Sequence, residues 1–295
     1  MSKYEIKTYQ EEFLEAQEEV GKEATKEWRA FGQSSKERLK ELYSQEGFDP
    51  ETKFYAFEGD KLVGFLTSTI VPGSEESVKT AKLEFPITLA EHEESAELLF
   101  NTAVETLQKK GIKKLQTRVG DVYKGTVEKS EKWGYSYSQD LYKLMVANVS
   151  ELSPKESDIE VQEFDVERDM EPMIQIFVEK LGQTEEYSRS NFERVTKDKE
   201  NFPIHLVIRE NEQIVGRALA YKNPNDPEEL NFGSMYLSDE KFFVPLVSKS
   251  ISMLKSLDYK KTSLFLFGPT LSMEEQYSSF GFSRLGKIDL HEKEI

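Results

Sequence analysis

The chain repeats itself at domain length. The step Trp133-Gly134-Tyr135 returns as Phe280-Gly281-Phe282, and Lys113-Lys114 returns as Lys260-Lys261, both at an offset of 147 residues. Upstream, Asp60-Lys61-Leu62-Val63-Gly64 returns as Glu212-Gln213-Ile214-Val215-Gly216 at an offset of 152. A recurrence of this period marks a duplicated structural unit. The 295 residues therefore divide into two domains, each close to the roughly 100–150 residues at which single cores are commonest. With 19 Phe and 13 Tyr spread along the length, both halves can bury a core.

The order of elements also recurs. Short alternating segments at residues 4–10 and 159–164 predict a first strand in each half. Helical stretches follow over residues 11–31 and 170–181, then second helices over 35–43 and 187–196. The runs Phe54-Tyr55-Ala56-Phe57 and His205-Leu206-Val207-Ile208, each followed by a turn and another apolar strand, read as β-hairpins. A third strand (82–89 or 230–237) leads to a long amphipathic helix, carrying Leu98, Leu99, Val104 and Leu107 in one half and Leu246, Val247, Ile251 and Leu254 in the other. Further strands at 114–119 and 263–267, a short helix, and final strands at 142–149 and 284–290 close the units. Residues 150–158 contain Pro154 and no apolar run, and read as a linker. The expected domains are thus 1–149 and 159–295, of α/β (α+β) class.

With no cysteine, the chain can form neither disulfides nor thiolate metal sites, in keeping with a reducing cytoplasm. Residues 1–10 are charged and no apolar stretch reaches the ~18 residues of a membrane span, so a soluble cytoplasmic protein without a membrane partner is expected. A net charge of −16 repels phosphate backbones, which argues against nucleic acid and favours a cationic partner such as an amine. His92 is followed by Glu93, but Ala96 stands where a zinc helix needs its second histidine, so no metal is expected.

Strand, two helices, hairpin, strand, helix, strand, helix, strand, with apolar-apolar-Gly in the hairpin and a Gly-aromatic turn near the end, resembles the GNAT superfamily of N-acetyltransferases, twice over. The resemblance implies two tandem GNAT-like domains, each a mixed, mostly antiparallel sheet flanked by helices. It also implies acetyl-CoA as co-substrate and a small-molecule or peptide amine as acceptor. The family's pyrophosphate loop, Q/R-x-x-G-x-G/A, is absent from both halves. Residues 90–96 put Glu93 and Ser95 where glycines are expected, and a carboxylate there opposes phosphate binding. The acids Glu91, Glu93, Glu94 and Glu97 also suit a helix start by themselves. In the second half Ser238 could cap the helix or touch a phosphate, Lys241 adds a positive charge, and Pro245 suits a first helical turn.

By that resemblance, Met235, Tyr236, Leu237, Ser238 and Lys241 are the coenzyme-binding residues expected in the second half. Tyr277, four residues before Gly281, matches the family tyrosine that protonates the departing thiolate; its counterpart in the first half is Ser130, a far weaker acid. Glu229, near the start of the third strand and on one face with Asn231, Gly233 and Met235, is the candidate base, with Glu228 beside it. Glu84 occupies a similar strand in the first half without the other groups. The sequence thus leads to an N-acetyltransferase working in its C-terminal domain beside a degenerate N-terminal one. The alternative is a catalytically inactive tandem GNAT-like module that binds a ligand or protein.

Overall fold

A computed structural model describes residues 3–29, 32–72, 78–224, 226–233 and 235–295; Phe31, the expected end of the first helix, lies outside these. In chain order the first half carries β1 (Glu5–Thr8), α1 (Leu14–Ala24), α2 (Lys36–Tyr43), β2 (Lys53–Glu58), β3 (Lys61–Ile70), β4 (Thr80–Leu83), β5 (Ile87–Thr88), α3 (Ser95–Lys109), β6 (Lys114–Gly120), α4 (Thr126–Lys132) and β7 (Ser136–Asn148). The second carries β8 (Gln162–Glu163), α5 (Val166–Leu181), α6 (Glu185–Lys197), β9 (Ile204–Glu210), β10 (Gln213–Asn223), β11 (Asp226–Phe232), β12 (Tyr236–Leu237), α7 (Phe243–Ser256), β13 (Lys261–Phe267), α8 (Glu274–Ser278) and β14 (Ser283–Glu294). Helix starts follow their capping residues: the side chains of Ser35, Asp165 and Thr184 accept the backbone N–H groups of Arg38, Arg168 and Tyr187.

The chain forms two compact units, Met1–Leu141 with Gly286–Ile295, and Tyr142–Leu285. In the N-terminal unit β2 is buried on both faces, which is why it reads as an unbroken apolar run rather than an alternation. Phe54 and Ala56 face Leu99, Phe100, Ala103 and Leu107 of α3. Tyr55 and Phe57 face Phe13 and Val20 on the α1 side. The C-terminal unit is layered in the same way. Leu206, Ile208, Ala218 and Ala220 pack on Leu246, Val247, Ile251 and Leu254 of α7. Val207 and Ile214 pack on Met173, Ile174, Phe177 and Phe192 of α5 and α6. Among the described residues, no helix is long and apolar enough to cross a membrane.

The final strands depart from the expectation that each half closes on itself. Residues 142–148 of β7 pair antiparallel with β13, from Tyr142↔Phe267 to Asn148↔Lys261, inside the C-terminal unit. Residues 288–294 of β14 pair antiparallel with β6, from Ile288↔Gly120 to Glu294↔Lys114, inside the N-terminal unit. The two closing strands are exchanged. The unit boundaries accordingly fall at Tyr142 and Gly286 instead of at residues 149 and 159. The expected linker is also part of a core. Leu152 is buried with the C-terminal unit's apolar residues, next to the equally buried Val149 just before it. Ser153 N–H donates to Phe280 O at 3.0 Å and Lys155 N–H to Ser248 Oγ at 3.0 Å.

Candidate functional site

In both units the third strand is broken, and the break opens the sheet. In the C-terminal unit β11 runs parallel to β13 from Glu229↔Lys261 to Phe232↔Leu264. Beyond that point β12 follows β10 instead, with Gly216↔Leu237 and Arg217↔Tyr236. Residues 265–267 continue along β7. The N-terminal unit does the same: β4 pairs with β6 up to Lys82↔Gln116, and β5 then pairs with β3 through Gly64↔Thr88 and Phe65↔Ile87. The recurring hairpin glycines are close-approach positions. A Cβ on Gly64 would stand 2.7 Å from Thr88 Cγ2, and one on Gly216 would stand 3.0 Å from Leu246 Cδ1.

The parting strands turn a backbone donor outward. Ser238 gives its N–H to Val215 O at 2.8 Å. Strand alternation therefore turns the N–H of Leu237 to the opposite edge, the side β13 has left. Met235 and Leu237 pack partly buried against the apolar core on the α7 side, and Tyr236 against the α5–α6 side.

The start of α7 is less open than expected. Asp239, not Ser238, caps the 3-10 turn Glu240–Phe242 that leads into α7: its carboxylate accepts Lys241 N–H at 2.8 Å. Lys241 Nζ is paired with Glu210 at 3.1 Å and lies 4.6 Å from the centroid of the Phe242 ring. An anionic side chain thus stands at the turn before α7, where it opposes a phosphate, while the cap position of α7 itself, Phe242, carries no side-chain cap. In the N-terminal unit the acids remain in the corresponding loop, with Glu94 accepting from Lys3 Nζ and Tyr4 OH, both at 2.8 Å.

Tyr277 sits on α8, buried, its ring edge-on to Phe243 at 4.9 Å and to Phe282 at 5.6 Å. Burial pushes its phenol well above the usual tyrosine range, so it holds its proton at neutral pH. Gly281, with φ +106°, makes the turn that returns the chain to β14; a Cβ there would also press on Glu151 O at 3.0 Å. Glu229 lies at the far end of the β11–β13 ladder, three residues and about 10 Å of strand before the parting. Its carboxylate accepts Asn223 Nδ2 at 2.6 Å. Glu228 is exposed.

The histidines are structural. His205 lies against Phe164 at 3.9 Å and accepts Arg217 Nε at 2.9 Å; burial lowers it to about 2, so it is neutral. His291 bonds the buried Ser130 at 2.8 Å, and His92 lies 3.3 Å from Tyr4 OH. Among the described residues no cluster of His, Asp and Glu could hold a metal. Sequence reasoning missed Arg217, buried with an unpartnered Nη2 between Phe177 and Phe192. Its signal was a lone charge inside Ile214-Val215-Gly216-Arg217-Ala218-Leu219.

The N-terminal unit also holds a cavity of about 610 Å³, lined among others by Trp28, Tyr43, Phe48, Lys53, Arg118 and Lys129. Arg118 is paired with Glu84, another lining residue, at 2.7 Å. Lys53 is buried, donating to Ser68 O and to Thr52 Oγ1, and desolvation lowers it to about 8. Its unfolded value is 10.5, so between these values the unfolded chain binds the extra proton and folding becomes more favourable as pH rises. Thermal unfolding of the wild type should show a gain of up to about 3 kcal/mol from this group between pH 8 and 10. Lys53→Met should remove that gain. An identical pH profile in the variant contradicts the assignment.

No protein-family model and no curated protein matches the sequence. Solved structures do. A GCN5-related N-acetyltransferase from Sphaerobacter thermophilus is 14% identical with a TM-score of 0.67, over 100% of this chain and 96% of that one. A tandem GNAT protein from the clavulanic acid biosynthesis pathway is 11% identical with a TM-score of 0.67, over 99% and 98%. N-myristoyltransferase from Saccharomyces cerevisiae, solved with bound myristoyl-CoA, is 12% identical with a TM-score of 0.52, over 99% and 78%. At these identities the likeness establishes architecture: the chain has the fold of the GCN5-related N-acetyltransferases, built twice in tandem.

Proposed function

We propose that this protein is an acyl-CoA-dependent N-acyltransferase, with acetyl-CoA as donor, a small-molecule or peptide amine as acceptor, and the chemistry in the C-terminal unit. The observation that supports this reading is the parting of β11 from β13 after Phe232 and Leu264, which turns the Leu237 N–H toward the vacated edge. A thioester in that opening meets a donor for its carbonyl oxygen as the tetrahedral intermediate forms. The amine nitrogen bonds to the acyl carbon and the C–S bond breaks. The thiolate then takes the Tyr277 proton, and the proton given up by the amine passes through water and Glu229 to restore the Tyr277 phenol.

Asp239 favours a second reading, a ligand-binding module without catalysis, because its carboxylate caps the turn that leads into α7 and opposes a phosphate there. Calorimetric titration of the full chain with acetyl-CoA separates the two. The enzymatic reading expects saturable one-site binding, tightened at least several-fold in Asp239→Asn. The amide keeps the cap and removes a charge that, at ~4 Å and an effective dielectric near 20, opposes a phosphate by roughly 4 kcal/mol before screening. Absence of saturable binding to both proteins removes the enzymatic reading and leaves the second.

A further inference from the structure

The cavity of the N-terminal unit lies in the half whose sequence offers no coenzyme loop, and it has a charge character of its own. Its walls are aromatic. Tyr43 and Phe48 stack at 4.8 Å with an interplanar angle of 23°, Trp28 packs on Tyr123 at 4.9 Å, and Phe65 and Phe85 add to the lining. Among the described residues three cations and three carboxylates line it, so formal charge alone decides nothing. Their partners do. Glu84 is neutralised by Arg118 at 2.7 Å, and Asp49 by Lys110 at 2.9 Å. Glu46 is exposed to water. Two ammonium groups are left with no ion-pair partner among the described residues. Lys53 Nζ donates to Ser68 O and Thr52 Oγ1 and lies 5.5 Å from the Phe48 ring centroid and 5.9 Å from that of Tyr43. Lys129 Nζ donates to Pro86 O at 2.9 Å.

At hydrogen-bond range each ammonium has neutral acceptors, and only the more distant carboxylates, Asp49 for Lys53 and Glu93 for Lys129, offset its lost hydration. The lowered proton affinities of Lys53 and Lys129, both caused first by desolvation, express that cost. An anion entering the cavity would offset it, and an apolar or aromatic body would cover the walls. The volume lies within the roughly 300–1,000 Å³ of small-molecule sites. We infer that the N-terminal unit is a binding site for a small aromatic carboxylate, its ring between the aromatic walls and its carboxylate on Lys53, with Lys129 as a second cation. The selectivity is opposite in sign to that expected from the overall charge of −16, because the cavity's own acids are already paired or in water.

The test is a titration of the full chain with 3-phenylpropionate, followed by calorimetry and by quenching of Trp28. The probes 3-phenylpropanol and 3-phenylpropylamine share the ring and chain, and coenzyme A serves as competitor. The expected result is one-to-one saturable binding of the carboxylate, at least tenfold weaker binding of the alcohol, and weaker binding still of the amine. Lys53→Met should lose tenfold or more for the carboxylate and little for the alcohol. Lys129→Met, at a half-buried position, should lose less but in the same order, and it decides the matter if Lys53→Met does not fold. Equal or tighter binding of the amine overturns the inference. So does unchanged carboxylate affinity in both variants, no carboxylate binding at all, or coenzyme A displacing the carboxylate competitively. None of these outcomes bears on acetyl-CoA binding to the C-terminal unit, so the two readings fail separately.

Discussion

Truncation after Leu285 should unfold the N-terminal unit while the C-terminal unit keeps its core. The deleted segment carries the strand that pairs with β6 from Gly120 to Lys114. It includes buried Ile288 and the contact of Lys293 Nζ with Trp133 O at 2.7 Å, and Ile295 packs on the same core. Losing it exposes one edge of β6, a run of backbone donors and acceptors with nothing to pair, and uncovers apolar surface worth several kcal/mol. That is a large share of the ~5–15 kcal/mol of a typical domain. The chain's two tryptophans, Trp28 and Trp133, both lie in the N-terminal unit, so their fluorescence reports it selectively. The denaturant midpoint seen by fluorescence should collapse toward zero, and hydrogen exchange should show α7 still protected. If the truncated chain proves insoluble, Ile288→Ala should lower the same fluorescence transition by about 2–4 kcal/mol. A full-strength tryptophan transition with loss of protection in α7 would instead place the last strand in the C-terminal unit.

That exchange shows where the sequence stops being informative. Alternation along residues 142–149 and 284–290 identifies strands and fixes which side chains face the core. It does not encode which neighbouring strand supplies the hydrogen bonds. Both final strands follow similar turns, so the sequence offered no reason to cross them. Local chemistry was legible wherever a single residue type satisfied a single geometric need. Ser35 caps α2, Gly281 takes φ +106°, and Gly64 and Gly216 stand where other chain segments approach closely. The spacing from Gly281 placed Tyr277 on the short helix α8.

Groups whose role depends on what they lack were not legible. Asp239 looks like any acid in a loop until its carboxylate is seen on the Lys241 N–H. Lys53 opens an apolar run as an ordinary strand-end lysine would, and lysines are rarely buried. Only the packed structure shows its ammonium buried on neutral acceptors. Glu229 was placed on the correct strand, but its distance from the parting depends on where β11 leaves β13, which alternation does not reveal.

Acyl transfer with Tyr277 as the acid stands or falls on the phenolic hydroxyl. Tyr277→Phe is an informative substitution because the ring, held by Phe243 and Phe282, keeps its packing while the hydroxyl is removed. The decisive measurement is the initial rate of coenzyme A release from acetyl-CoA in the presence of an amine panel, for wild type and Tyr277→Phe, across pH 6–9. The wild type should show amine-dependent, saturable release. In the variant, kcat should fall by about 100-fold, in the range expected for loss of a general acid, with little change in the KM for acetyl-CoA and an unchanged melting temperature. Release no faster than hydrolysis in buffer, or equal kcat in the two proteins across the pH range, would contradict it.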